Sequence, residues 1–225
     1  MWPGAHFKFH SDINGERVSR MYTPVSPVNQ KGSATFVLKI YRPCEEFPNG
    51  GKFTSNLEKN YKVGDSLLCE GPYGLAKYFG SGNFIYKGKP LTQKKRIGLI
   101  AGGTGITPMY AIAYASLHAN EGIDFTFLYS NKTKNDVFLQ KELDELATKF
   151  PNQFKLFYTL TRHNEERDGK WEGLTGRMSW ELLKQCGFPE PADGSFILWC
   201  GPNAMYATGK EICSANGYTE GEHFV

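Results

Sequence analysis

A glycine-rich run, Gly102-Gly103-Thr104-Gly105, follows the apolar segment 97–101 and precedes Thr107 and Pro108. Glycines let the backbone turn sharply and let a ligand approach without a Cβ in the way. Thr107 suits the N-cap of a helix, and Pro108 suits its first position, where no N–H is needed. The free N–H groups at the start of such a helix attract an anion, typically a dinucleotide pyrophosphate. The run therefore predicts a dinucleotide site at a strand-to-helix turn.

Three further clusters have residue types that suit related chemistry. Arg20 and Tyr22 fall on one face of a predicted strand and Thr23 on the other, so a phosphate-binding guanidinium lies beside a flat phenol. The run Gly50-Gly51-Lys52-Phe53-Thr54 opens a predicted helix and forms a second candidate anion site. The run Cys200-Gly201-Pro202 stands at the end of a predicted strand and the start of a helix.

The composition restricts the classes of function. The 225 residues suffice for one large domain or two small ones, and a net charge of +3 is too small to favour nucleic acid as a partner. Five cysteines without a Cys-x-x-Cys spacing favour a reducing compartment and give no metal-cluster pattern. The sequence also lacks an apolar segment of membrane-spanning length and a signal-peptide pattern.

The first part of the chain has the pattern of short antiparallel strands, and a capped helix is expected to begin near Ser55. The predicted strands are residues 5–10, 17–23, 34–41 and 66–70. Residues 80–95, rich in glycine and overlapping the basic cluster Lys94-Lys95-Arg96, indicate a linker. We therefore predict an antiparallel β domain, a barrel or a sandwich, over residues 1–90.

After residue 96 the strands and helices alternate. The predicted strands are 97–101, 123–130, 154–161 and 195–200, with a short one at 222–225. The predicted helices are 108–119, 136–149, 179–186 and 203–215. This order predicts a parallel sheet covered by helices on both faces, with ligands at the carboxyl ends of its strands. The fold class is thus two-domain, with an α/β Rossmann-like domain over residues 96–225.

The four clusters, in their order and spacing, resemble the ferredoxin-NADP reductase superfamily and most closely the cytochrome b5 reductase family. The motifs are Arg-x-Tyr-Thr, Gly-Gly-Lys, Gly-Gly-Thr-Gly-Ile-Thr-Pro and Cys-Gly-Pro, and the resemblance runs from Trp2 to Phe224. It implies an enzyme that takes a hydride from NADH to the N5 atom of FAD and passes single electrons to a haem protein such as cytochrome b5. The redox chemistry belongs to the cofactors, while the protein supplies orientation and charge.

The resemblance also implies roles on the FAD side. Arg20 would bind the pyrophosphate, Tyr22 would pack on the flavin ring, and Thr23 would lie near N5. Lys39 and Tyr41 match the pair on the other side of the flavin. The residues implied to hold the pyrophosphate through backbone N–H groups and one hydroxyl are Gly51, Lys52, Phe53 and Thr54.

On the NADH side, Cys200 would place the nicotinamide, and Thr107 and Pro108 would lie beside the flavin. His6 matches a histidine that bonds the threonine equivalent to Thr23 and relays a proton to N5. The residues implied to cradle NADH are Gly102, Gly103, Thr104 and Gly105. Those implied to shape the nicotinamide pocket are Gly201, Pro202 and Met205.

Asp136 occupies the family's acidic position after the second α/β strand, where a carboxylate repels a 2′-phosphate and favours NADH. Lys132 and Lys134 nearby could instead attract that phosphate. Simpler roles stay open for several residues: Asp136 could be a helix first-turn acid, Cys200 a small buried hydrophobe, and His6 a surface or core histidine. Lys52 could be a solvated charge, and the basic triplet at 94–96 either a solvated linker or a docking face for an acidic cytochrome.

The family has further strands before the position of Trp2, so the resemblance implies that residues 1–90 form a truncated FAD-binding β-barrel, with an open edge that a partner chain or an upstream segment covers. Met21 stands where the family has proline. Two other functions stay open: an accessory subunit that keeps a nucleotide-binding fold, and the reductase module of a multidomain haem–flavin enzyme. We expect a reducing intracellular compartment, with membrane association at the endoplasmic reticulum or mitochondrion through a segment outside this sequence as an open alternative.

Overall fold

The first part of the chain folds into a small antiparallel sheet of three strands, in which the first strand lies between the other two. The computed structural model describes residues 1–45 and 47–225. The strands are β1 (His6–Ile13), β2 (Glu16–Tyr22) and β3 (Leu68–Tyr73). Asn14 and Gly15 turn the β1–β2 hairpin with φ of 52° and 78°, as an Asn-Gly turn between two strands requires. Phe7 then pairs with Tyr22 and Phe9 with Arg20, which fixes the end of β2.

Residues 34–41 do not form the predicted strand. They make a single bridge, from Phe36 to Pro24, and proline has no N–H with which to continue a ladder. Phe36 nevertheless packs edge-on against Phe9, with ring centroids 4.9 Å apart. The apolar side chains that suggested a strand are therefore used for packing rather than for pairing.

The predicted short helix is α1 (Lys52–Asn60), and it begins three residues before Ser55. Gly51, in an extended conformation, precedes it, and no side chain caps the helix. The Ser55 hydroxyl donates to the Tyr41 carbonyl oxygen at 3.1 Å instead of capping. The predicted helix start was wrong because Gly51, which has no side chain, stands at the N-cap, where the sequence suggested a hydroxyl.

The segment predicted as a linker is part of a second antiparallel sheet. Its strands are β4 (Ala76–Tyr78), β5 (Phe84–Tyr86) and β6 (Lys89–Leu91). Phe84 and Leu91 are buried in the main hydrophobic core, and the Phe84 ring lies 5.1 Å from that of Phe196. The linker prediction is wrong because the glycines on which it depended turn the chain tightly between these strands.

The α/β half contains the expected parallel sheet. Its strands are β7 (Arg96–Gly102), β8 (Asp124–Asn131), β9 (Phe154–Leu160), β10 (Leu174–Thr175) and β11 (Ser195–Cys200). Their order in the sheet is β10-β9-β8-β7-β11. The helices are α2 (Ile106–His118), α3 (Gln140–Lys149), α4 (Glu165–Asp168), α5 (Trp180–Gln185) and α6 (Asn203–Ala215). Alternate strand residues enter two hydrophobic clusters, Leu99 and Phe127 on one face and Ile100 and Leu128 on the other. This confirms the two-domain fold class.

The last residues extend this sheet beside β11 without forming a full strand. The Ile197 N–H donates to the His223 carbonyl at 2.8 Å, and the Val225 N–H donates to the Ile197 carbonyl at 3.0 Å. Ile197 and Phe224 form a single bridge. Among the helices that the structure describes, none combines the length and apolar character needed to cross a membrane.

Lys94, which follows the second sheet, is only 7% exposed, although the sequence alone allowed it to be a solvated charge. Its Nζ lies 5.9 Å from the centre of the Phe196 ring. Burial lowers the pKa of this ammonium below 10.5, while Glu222 and Asp193 act in the opposite direction. A lysine with a lowered pKa in the folded state disfavours folding while it is charged, and this cost disappears once the lysine is neutral in both states.

We therefore expect Lys94→Met to raise the free energy of unfolding at pH 7 by about 1 kcal/mol. The gain should shrink as the pH rises towards 10.5, the ordinary pKa of lysine. Urea unfolding at several pH values measures it, with Lys95→Met at the exposed neighbouring position as the control. A loss of stability, or a gain that does not depend on pH, would contradict this account of Lys94.

Candidate active site

Two of the predicted clusters lie side by side where neighbouring strands of the parallel sheet end. Strands β7 and β11 are neighbours, and Ala101 pairs with Cys200. The glycine run after β7 and the Cys200-Gly201-Pro202 run therefore emerge together at the carboxyl edge of the sheet. This edge is where ligands bind in open α/β sheets.

The glycine run forms a 3-10 turn, Gly103–Gly105, and α2 follows directly from Ile106. Thr107 is therefore not the N-cap and Pro108 is not the first helical residue, because the 3-10 turn already starts the helical path. The Thr107 hydroxyl donates to the Thr104 carbonyl at 3.3 Å and braces the turn. Pro108 still lies in the first turn of α2, where its missing N–H costs no hydrogen bond.

The two turns approach so closely that side chains would not fit between them. A Cβ on Gly105 would lie 1.9 Å from the Cys200 carbonyl oxygen. A Cβ on Gly102 would lie 2.5 Å from the Met205 sulfur and 3.0 Å from a ring carbon of Pro202. The residues implied to bind the nicotinamide nucleotide are thus gathered in one place.

Cys200 contributes a neutral thiol to this place. It is half-buried, and burial raises its pKa to about 11. A thiol with this pKa is protonated at pH 7, so it is a weak nucleophile and a small, polarisable contact surface. Such a group suits packing against a ring better than covalent catalysis.

The residues implied to bind FAD line a cavity of about 230 Å³. The lining consists of Arg20, Met21, Tyr22, Lys39, Tyr41, Gly51, Lys52, Phe53, Thr54 and Thr104. Thr104 comes from the glycine run after β7, so the cavity joins the two halves of the chain. Met21 was not predicted as a site residue because strand alternation placed it on the face opposite Arg20 and Tyr22. A larger open depression of about 670 Å³ follows the outer side of α3 and contains none of the predicted residues.

Tyr22 presents a flat, uncharged ring in this cavity. Its ring lies 5.8 Å from that of Phe9 and 5.9 Å from that of Phe53. Burial raises the pKa of Tyr22 to about 12, although the charge of Arg20 acts in the opposite direction. The phenol is therefore neutral at pH 7, and its orientation is fixed by packing.

The start of α1 is tied to the segment that carries Tyr41. The Gly51 N–H donates to the Tyr41 carbonyl at 2.7 Å, and the Tyr41 N–H donates to the Thr54 hydroxyl oxygen at 3.3 Å. The Lys52 ammonium pairs with Glu16 outside the cavity. The first backbone N–H groups of α1, rather than the Lys52 charge, are therefore available to an anion.

His6 and Thr23 lie at the ends of neighbouring strands. Thr23 is buried, and the His6 ring lies 6.1 Å from the Tyr73 ring. Burial lowers the pKa of His6, so its imidazole is neutral at pH 7. Among the described residues no hydrogen bond joins His6 to Thr23, and the proton relay stays a prediction.

Asp136 meets a residue from the other half of the chain. Its Oδ1 lies 2.5 Å from the Lys39 Nζ, and its Oδ2 accepts from the Thr133 N–H at 3.1 Å and the Thr133 hydroxyl at 2.8 Å. Burial alone would raise the pKa of Asp136, but Lys39 and Thr133 outweigh it and lower the pKa. Nearby, the Lys132 Nζ lies 5.6 Å from the centre of the Phe47 ring. Spacing could not reveal either contact, because each joins residues far apart in the sequence.

The close approach of the two turns yields a prediction for Gly105→Ala. The new methyl group must displace the Cys200 backbone, so we expect a loss of about 3 kcal/mol in the free energy of unfolding and weaker NAD⁺ binding. Gly103→Ala is the matched control, because a Cβ there meets nothing within 4 Å. It should cost only about 1 kcal/mol for an alanine at positive φ. Equal losses in the two variants, measured by urea unfolding and calorimetry, would refute the steric argument.

Comparisons with known proteins agree with this arrangement. Residues 1–78 match the Oxidoreductase FAD-binding domain family, and residues 99–211 match the Oxidoreductase NAD-binding domain family. The chain is 37% identical over 207 residues to NADH-cytochrome b5 reductase 2 of Rattus norvegicus, covering 88% of this chain and 73% of that protein. It is 36% identical over 205 residues to Nitrate reductase [NADH] of Volvox carteri, covering 90% of this chain and only 23% of that protein.

A solved structure shows the same fold. The cytochrome b5 reductase domain of Ulva prolifera nitrate reductase superposes with a TM-score of 0.91 at 30% sequence identity, over 100% of this chain and 84% of that one. The matches extend over both halves of the chain, including the cavity and the carboxyl edge of the sheet. On this evidence the chain belongs to the NADH-cytochrome b5 reductase family of FAD- and NAD-binding oxidoreductases.

Proposed function

We propose that this chain is an FAD-dependent NADH reductase whose one-electron acceptor is a haem protein such as cytochrome b5. When bound, FAD supplies an N5 atom that accepts a hydride from NADH and a ring system that releases electrons singly. The observation that carries the proposal is the cavity of about 230 Å³ in which Thr104 of the nicotinamide-side turn joins nine residues of the flavin side. Two ligands held by these two sets of residues would meet at their border.

The flavin side fits a dinucleotide with a flat ring. Tyr22 offers a neutral aromatic face, Arg20 offers a guanidinium for phosphate, and the first turn of α1 offers backbone N–H groups. A Cβ on Gly51 would lie 2.6 Å from the Thr54 hydroxyl and 2.9 Å from the Tyr41 Cβ, so the backbone there is packed without room for a side chain. Lys39 and Tyr41 also line the cavity.

The nicotinamide side orients a second ring. The turn of Gly103–Gly105 leaves open backbone next to the start of α2, which suits a pyrophosphate. We propose that Cys200, Gly201, Pro202 and Met205 form the adjoining wall and that Thr107 and Pro108, in the first turn of α2, lie beside the flavin. In our proposal this wall limits the nicotinamide to positions in which its reactive carbon faces the flavin.

His6 and Thr23 are proposed to serve the proton that accompanies hydride transfer. A neutral imidazole has one nitrogen that can accept a proton and one that can donate a proton, and the Thr23 hydroxyl can pass a proton on. The relay requires the two side chains to approach within hydrogen-bond distance when the flavin site is filled. Asp136 is proposed to face the adenosine ribose and favour NADH over NADPH.

The exposed strand β3 favours a second candidate function. All six residues of β3 are exposed, and β3 is an edge strand in the order β2-β1-β3. An open edge of this kind is usually covered. A partner chain there would make this chain a subunit of a larger assembly, whereas an upstream segment fits the reductase. This chain matches only 23% of the Volvox carteri nitrate reductase. A role as the reductase module of a multidomain haem–flavin enzyme is therefore a further alternative.

The domain boundaries and the cellular location are part of the same proposal. We place the flavin-binding domain at residues 1–90 and the nicotinamide-binding domain at 96–225. All five cysteines are free, which accords with a reducing intracellular compartment. Attachment to the endoplasmic reticulum or mitochondrial membrane would require a segment outside this sequence.

The experiment is stopped-flow spectroscopy of the protein purified with FAD. Anaerobic NADH should bleach the flavin absorbance, and ferric cytochrome b5 should then restore it in one-electron steps. Protein that binds no FAD, or bound FAD that NADH does not bleach, would refute the reductase proposal. Activity that appears only after a partner chain is added would favour the subunit alternative.

The role of Cys200 gives a sharper prediction for the same assay. In Cys200→Ala the nicotinamide loses one wall of its pocket, so we expect flavin reduction to slow by on the order of tenfold to a hundredfold with unchanged FAD content. Cys69→Ser changes an exposed cysteine on β3 and should leave the rate of flavin reduction as it is. A wild-type rate in Cys200→Ala would exclude this positioning role.

A further inference from the structure

The ion pair between Lys39 and Asp136 crosses the border between the two halves of the site. Lys39 lies on the wall of the flavin cavity, whereas Asp136 follows strand β8. The Nζ–Oδ1 distance is 2.5 Å, and the side chains are 32% and 22% exposed. The pair is therefore shielded in part from water, and its charges act more strongly than those of a surface pair.

The Asp136 carboxylate is fixed in this position. Thr133 holds the second oxygen through its N–H and its hydroxyl, in the reciprocal pattern of a capping box. Since Thr133 orients one oxygen and Lys39 binds the other, the carboxylate does not act as a lone negative charge. A cation from the flavin-binding half balances it.

This balance matters for the group that distinguishes the two nicotinamide nucleotides. NADPH differs from NADH only by a 2′-phosphate, which an unpaired carboxylate repels. The ammonium of Lys39, 2.5 Å from that carboxylate, attracts the 2′-phosphate and thereby offsets the repulsion. A second contact across the border, between Phe47 and Lys132, lies beside the same turn.

We propose that Lys39 is a specificity-determining residue. By compensating the negative charge of Asp136, it reduces the preference of this chain for NADH over NADPH. The inference rests on the proposed function, in that it places Asp136 at the adenosine ribose. It goes further in assigning part of the nucleotide selectivity to the flavin-binding half. Selectivity is then set by a charge pair rather than by one acidic residue.

The test uses the ratio of the dissociation constants of NADP⁺ and NAD⁺, measured by titration calorimetry on oxidised protein without turnover. The two nucleotides share every other group, so an effect of a variant on pyrophosphate, nicotinamide or general folding cancels in the ratio. In Lys39→Met we expect the dissociation constant of NADP⁺ divided by that of NAD⁺ to rise about fivefold. This factor corresponds to the upper range of the interaction energies of partly exposed ion pairs. The rise should diminish at 0.5 M salt, because ions screen such charges.

Two variants control the measurement. Lys39→Arg keeps the charge and should keep the wild-type ratio. Lys52→Met removes another lysine of the cavity, one that pairs with Glu16, and should leave the ratio unchanged whatever it does to each constant. The ratio of kcat/KM for NADH and NADPH should follow the same order.

A ratio in Lys39→Met that is unchanged or shifted toward NADP⁺ would overturn the inference while leaving the reductase proposal intact. Protein that binds neither NAD⁺ nor NADP⁺ would overturn both. An equal loss of affinity for both nucleotides would assign Lys39 a role in shared binding or folding and would likewise reject selectivity.

Discussion

The close approach of two backbone turns at the carboxyl edge of the parallel sheet is the constraint on which our proposed site depends. Strands β7 and β11 are in register, so the turn after Gly102 and the turn after Cys200 leave the sheet together. Gly105 lies against the Cys200 carbonyl with no space for a Cβ. A Cβ on Gly103, in contrast, would meet nothing within 4 Å, so the open space that a ligand could occupy lies beside Gly103.

The flavin-binding half is positioned against this edge by a small number of contacts. Thr104 completes the lining of the flavin cavity, Lys39 pairs with Asp136, and Phe47 contacts Lys132. Gly4 of the flavin-binding half also lies close to the α/β half, because a Cβ on Gly4 would lie 3.0 Å from the Ile112 side chain of α2. These contacts bring residues of the two halves of the chain together, as our proposal of a hydride donor held beside its acceptor requires. The basic triplet at 94–96, in contrast, lies where β7 begins, at the opposite edge of the sheet from the cavity, and Lys94 is buried. A docking face for the electron acceptor is therefore expected elsewhere.

The sequence predicted those features that depend on local pattern. Apolar runs followed by helical periodicity located β7, β8, β9 and β11. The glycine run and the Cys200-Gly201-Pro202 run located the two turns at the edge of the sheet. Features decided by tertiary contact were missed. Residues 34–41 have no partner strand among the described residues, and parts of 80–95 form strands β5 and β6, which pack on the main core. Helix starts shifted because backbone geometry at Gly51 and at Gly103–Gly105 replaced the hydroxyl caps that the residue types suggested. The Lys39–Asp136 pair joins residues almost a hundred positions apart, and only the fold brings them together.

The central claim is that the flavin cavity and the glycine turn form one site in which two rings meet. A crystal structure of the protein with FAD and NAD⁺ bound tests it most directly. The account predicts the flavin ring against Tyr22, with the nicotinamide between that ring and Cys200. FAD in the depression along α3, or a nicotinamide bound away from Cys200, would contradict it.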